Sequence, residues 1–287
     1  MPIYAPSLPP RPALSSGQPP AWVLLRFDLM RLLRNRIGRF FGFAFLMVLI
    51  LQVGNLYLRH LVDTKAGMQS MKEFADAVLS RGAELQAGLL HPGMLFMLWF
   101  LMAILGGGLV ARDTLHRVRP LMYAHPLSHT DYLSAKLGLG ALIPLVIQLP
   151  FILLPWVLSL LVAGIHGPVW ATAPLRLLPA ALIIALLMGA VSLGASSLAA
   201  TPRAGVGWVL GIVIGTSGLG SILAGILHRT DWMAISPIAL ADAWPKLLCG
   251  VADPTVGAPA VLLSTLAHTA LWLYVAWQRT RPEEAVI

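Results

Sequence analysis

The run LLHPGMLFMLWFLMAILGGGLVA at Leu89–Ala111, followed by RDTLHRVRPLMYAHPLSHTDYLSAK at Arg112–Lys136, decides how the whole chain is read. The first part is almost wholly apolar and, at ~1.5 Å of rise per residue, long enough as a helix to cross a bilayer. The second holds Arg112, Arg117, Arg119 and Lys136 with His116, His125 and His129, against only Asp113 and Asp131. Charges at the bilayer centre cost roughly 2.5–3.5 kcal/mol each on insertion scales, so this island lies in water or among headgroups. A span, a polar connector and then another long apolar run describe a polytopic membrane protein.

Composition agrees. The chain is 57 % apolar and 11 % charged, far below the charged quarter of a soluble domain. The predicted class is all-α, with six transmembrane helices at Phe40–Leu58, Leu89–Ala111, Leu137–Ala163, Leu175–Ala200, Gly205–Leu227 and Pro259–Trp277. The third carries Pro144, Pro150 and Pro155, each of which removes a helix hydrogen bond and invites a kink. The single Cys249 excludes an intramolecular disulfide and a cysteine-based metal cluster.

Residues 1–21 are Pro-rich and predicted to form a disordered cytoplasmic tail; no basic segment leads straight into an apolar one, so no cleaved signal peptide is expected. Residues 22–39 read as an amphipathic interfacial helix. Trp22, Leu25, Leu29, Leu32, Leu33 and Ile37 fall on one face, with Asp28, Arg31, Arg34, Asn35 and Arg39 on the other. The transmembrane domain then covers 40–278, with the connector at 112–136, and residues 279–287 form a second tail.

Two loops on the far side are long. Met68, Met71, Phe74, Val78 and Leu79 predict a short amphipathic helix within Lys65–Leu90. His228–Ala258 is too apolar for a solvated loop and too broken by Pro and Asp for a span, so short re-entrant or interfacial helices are expected before the last span. Arginines flanking the first span place both termini inside by the positive-inside rule. The basic excess therefore speaks to topology and anionic membrane lipids, and not to nucleic acid.

Within the connector the order of residues is informative. Arg112-Asp113 leaves the second span, basic residues lead to Leu121-Met122-Tyr123, and Pro126-Leu127-Ser128 precedes Tyr132-Leu133 and Lys136. This order resembles the permease subunits of ATP-binding-cassette transporters of the type-2 exporter class, where a short helix, a Pro-centred turn, an aromatic or aliphatic pair and a membrane-edge Lys recur. The amphipathic N-terminal helix, six spans and apolar loop before the last span extend the resemblance over most of the chain after residue 20. It departs at Leu115–Pro120, where many members carry a Gly-Thr-Leu-Glu-like run. The resemblance implies an inner-membrane half-transporter: a second permease copy or paralogue, and a separate pair of ATPase subunits, carrying ATP and magnesium, that dock on the connector. The candidate docking residues are Arg112, Asp113, Arg117, Arg119, Leu121, Met122, Tyr123, Pro126 and Lys136. The competing role for the arginines is binding lipid phosphate and fixing topology.

The chain has no Gly-x-x-x-x-Gly-Lys-[Ser/Thr] loop to cradle ATP, so no enzymatic activity or cofactor is expected in it. His125 and His129 have metal-ligand spacing, but Pro126 intervenes and no acid completes a set. His268 fits either an interhelical hydrogen bond or a proton relay, and Trp272, Tyr274 and Trp277 read as an aromatic belt. Gly207, Gly211 and Gly215 recur every four residues and suit close helix packing, within the chain or between subunits. Two further functions fit the same spans: a secondary transporter, which would work without an ATPase, and a membrane assembly or anchor protein that transports nothing.

Overall fold

The computed structural model describes residues 20–33, 36–64, 87–117, 128–161, 172–251 and 256–281. Its helices are α1 (Pro20–Leu33), α2 (Arg36–Thr64), α3 (Pro92–Gly106), α4 (Ala111–Leu115), α5 (His129–Leu161), α6 (Ala173–Ser197), α7 (Pro202–Leu227), α8 (Pro237–Cys249) and α9 (Ala258–Thr280). Among the described residues there is no strand, and six helical segments are long and apolar enough to span a membrane. The protein is an all-α polytopic membrane protein.

Two spans form the centre. The α3–α4 segment and α6 are 78 % and 72 % buried over their most apolar windows, against 17 % for α7 and for α9. The peripheral spans keep Phe43, Ile50, Ile214, Ile222, Leu263 and Leu266 on their outer surfaces, as lipid-facing positions require. α6 packs on α3, α5, α7, α8 and α9. Small residues allow this. A side chain at Gly189 would meet the backbone of Gly140 and Ala141 at about 3 Å, and one at Gly194 would lie 2.7 Å from the Trp272 carbonyl. Without a hydrophobic drive between helices in lipid, such close approach supplies the dispersion that holds spans together.

α5 begins eight residues before the predicted span and runs unbroken through all three prolines. Gln148 donates to the Pro144 carbonyl at 3.1 Å. The early start has a local cause: Ser128 Oγ accepts from the Asp131 amide at 3.1 Å, while Asp131 Oδ2 accepts from the Ser128 amide at 3.2 Å. This reciprocal cap satisfies backbone donors that a helix start leaves open. Lys136 therefore lies two turns inside the helix and does not open it.

Between α7 and α9, a 3-10 turn at Thr230–Ile235 and α8 fold back into the bundle, burying Leu240, Ala241, Ala243 and Cys249. Their polar groups are met by neighbours. Trp244 Nε1 donates to Thr265 Oγ1 at 3.0 Å, and Ser217 and Ser236 pair at 2.6 Å. Arg176 donates to the Cys249 carbonyl at 3.2 Å, where the last turn of α8 offers an open acceptor. The Gly257 amide and then Arg229 hold the Asp231 carboxyl below its usual range. The expected helix within Lys65–Leu90 falls largely outside the described residues; its end, Leu89–Leu90, is buried, with Gln52 donating to the Leu89 carbonyl.

Candidate functional site at the connector

The second span does not leave the bundle as one straight helix. After α3, residues 107–110 form a turn before α4 resumes. Buried backbone that leaves the helical hydrogen-bond pattern is stable only when protein meets its polar groups, and Ser196 on α6 does so. Its hydroxyl donates to the Gly107 carbonyl (2.8 Å) and accepts from the amides of Val110 (2.9 Å) and Ala111 (3.1 Å). The same turn touches α7 backbone to backbone. A side chain at Gly107 would lie 2.6 Å from the Val206 nitrogen and 2.7 Å from the Gly205 carbonyl carbon.

This bend aims α4 so that Asp113 faces inward, where three elements converge on one cation. Lys136 Nζ on α5 lies 2.8 Å from Asp113 Oδ2 and 2.6 Å from Asp28 Oδ2 on α1. Tyr132, fully buried one turn before Lys136, donates to the same Asp113 oxygen at 2.9 Å, and its ring lies 5.5 Å from the ammonium. The lysine is 2 % exposed. A buried ammonium needs its charge and donors matched, and two carboxylates match them. Arg112 lines a cavity of about 20 Å³ beside the cluster with Gly108, Leu109 and Leu139, a volume that admits roughly one water.

The exit of the connector is fastened on the other side as well. His129 Nε2 lies 2.8 Å from Thr280 Oγ1, and its ring packs on Trp277 at 4.4 Å. Arg281 covers the same indole at 5.9 Å. Both described ends of the connector are thus pinned: the entry to α6 and α7, the exit to α1 and α9.

Comparison with known proteins gives no assignment. No family model matches the chain, and no curated protein matches it significantly.

The docking candidates therefore separate by position. Arg117 is exposed at the end of α4 with φ +52°, and Arg112 is half-buried. Asp113 and Lys136 are buried and paired with each other within the chain. Arg119, Leu121, Met122, Tyr123, Pro126 and His125 lie outside the described residues.

Asp28 and Tyr132 are the cluster members that the sequence reading missed. Helical periodicity puts Asp28 on the polar face of its helix, but it sits on the packed side with Leu25 and Leu29, while Trp22, Phe27 and Met30 are exposed. The physical reason is that a membrane-bound helix has an apolar outside. The signals available were the Ser-x-x-Asp cap, which starts α5 at residue 129, and the i, i+4 spacing of Tyr132 and Lys136.

Among the described residues no group of three metal-ligating side chains occurs. His268 Nε2 donates to the Ile235 carbonyl at 2.8 Å, a tie between α9 and the 3-10 turn. Of the expected aromatic belt only Tyr274 faces outward, since Trp272 packs on Gly194 and Trp277 on His129. Gly207, Gly211 and Gly215 have nothing within 4 Å of an added Cβ, so they serve no packing within the described chain.

Proposed function

We propose that this chain is the membrane permease subunit of an ATP-binding-cassette transporter of the type-2 exporter class, driven by ATP hydrolysed on separate subunits. What supports the reading is the anchoring of the connector. A partner that moves residues 118–127 pulls on both α4 and α5, and the Asp28–Lys136–Asp113 cluster passes that pull to α1. A loop fixed this firmly at each end suits the transmission of force. In this reading the termini and connector are cytoplasmic, and the open glycine face of α7 meets a second permease copy.

The decisive variant is Leu121→Asp with Tyr123→Asp, which removes apolar anchors and leaves every arginine in place. It is expected to insert normally but to lose a co-purifying ATPase and the coupled hydrolysis. Retention of the ATPase, or transport that persists with no ATPase present, would overturn the assignment; the second result favours a secondary transporter. Orientation has its own check. Cysteines at Ser70 and Ser128, in a background lacking Cys249, should react from opposite sides of the membrane, with Ser128 inside; labelling from one side contradicts the six-span topology.

A further inference from the structure

We propose that the outward face of α1 binds anionic phospholipid headgroups and that this binding holds α1 docked on the bundle through Asp28. The argument is charge complementarity set by the fold. Between residues 20 and 39 the sequence supplies Arg26, Arg31, Arg34, Arg36 and Arg39, and Asp28 is the one acid. Docking turns that acid inward onto Lys136, 2.6 Å away, with Leu25 seated over Gly138. The face left outside combines Arg26 with Trp22, Val23, Phe27 and Met30, and continues to the exposed Arg39 and Phe40. Apolar side chains enter the acyl boundary while guanidinium groups meet lipid phosphate.

Undocking reverses both terms. It presents the Asp28 carboxylate to a negatively charged surface and leaves Lys136 with one carboxylate instead of two. Anionic lipid therefore binds the docked state in preference to the undocked one, and by linkage it raises the docked population. The lipid composition of the leaflet thereby sets how tightly α1 grips the ends of the second and third spans. The inference stands whether or not an ATPase binds the connector.

Hydrogen exchange of the α1 amides in the full-length protein tests it, in nanodiscs of phosphatidylcholine alone or of phosphatidylcholine mixed with phosphatidylglycerol. Exchange is expected to slow on the order of tenfold in the mixed lipid. The effect should shrink in Arg26→Gln with Arg39→Gln, which leaves Arg31, Arg34 and Arg36 in place, and survive in full in Arg26→Lys with Arg39→Lys. Asp28→Asn should speed exchange in both lipids and shrink the difference between them. Equal rates in the two lipids overturn the proposal, as does a full lipid effect in the glutamine variant. A lipid effect of undiminished size in Asp28→Asn overturns the coupling through Asp28.

Discussion

Replacing Lys136 with methionine is expected to destabilise the bundle by about 3–5 kcal/mol, the usual cost of stranding a buried charge. Methionine keeps the length and apolar stem of lysine but brings no ammonium. Asp28 and Asp113, both oriented toward Nζ, would then face one another, with Tyr132 still donating to Asp113. Unfolding of the purified protein in mixed micelles with rising denaturing detergent measures the loss. The companion experiment separates charge from packing. Asp28→Asn and Asp113→Asn added to Lys136→Met should recover most of the stability, because the stranded charges are gone. A single variant as stable as the wild type, or a triple variant no better than the single, would contradict the buried ionic cluster. Such clusters bring less net stability than their short distances suggest. Here one lysine joins three helices, α1, α4 and α5, through two carboxylates.

The second large effect is expected at Gly205. Valine there would set its Cβ against the Gly107 carbonyl, so α7 and the turn after α3 must separate. Backbone on both sides cannot rotate away as a side chain can. The loss should therefore reach the top of the roughly 1–3 kcal/mol range for overpacking, with the Ser196 bonds to Gly107, Val110 and Ala111 weakened as the turn shifts. Gly211→Val, whose added side chain meets no atom of the described residues within 4 Å of Cβ, should leave monomer unfolding nearly unchanged while lowering dimer content. Equal destabilisation at the two sites would mean that the contact between the two backbones is not as described. Undiminished dimer in the Gly211 variant would remove that face from the proposed interface.

The contrast between these glycines shows what a sequence does and does not make legible. Span lengths follow from the bilayer's thickness and from runs of apolar residues, so all six could be read directly. The short helix before the last span was readable too, because Pro237, Asp242 and Pro245 break an otherwise apolar loop. Glycine contacts were not. A four-residue repeat on one helix, as at Gly207, Gly211 and Gly215, marks a smooth face but names no partner. Glycine pairs whose backbones meet, such as Gly107 with Gly205 and Gly140 with Gly189, come from different elements and share no spacing. Asp28 was hidden for a similar reason. A helical wheel sorts residues by polarity, whereas burial of an acid depends on a cation supplied by another element, here 108 positions later in the chain. The start of α5 was legible in principle from the Ser128–Asp131 pair, and reading it would have placed Lys136 within the helix.

The cluster itself is the most direct place to test this account. Solid-state NMR on the wild-type chain in lipid, with 15N on lysine side chains and 13C on aspartate carboxyls, reports which carboxyl carbons lie beside Lys136 Nζ. Lys136→Arg assigns the lysine signal, and Asp28→Asn and Asp113→Asn assign the two carboxyls. The predicted result is one ammonium in close dipolar contact with both carboxyl carbons and shielded from exchange with bulk water. A Lys136 ammonium that contacts neither carboxyl and exchanges freely with solvent would contradict it.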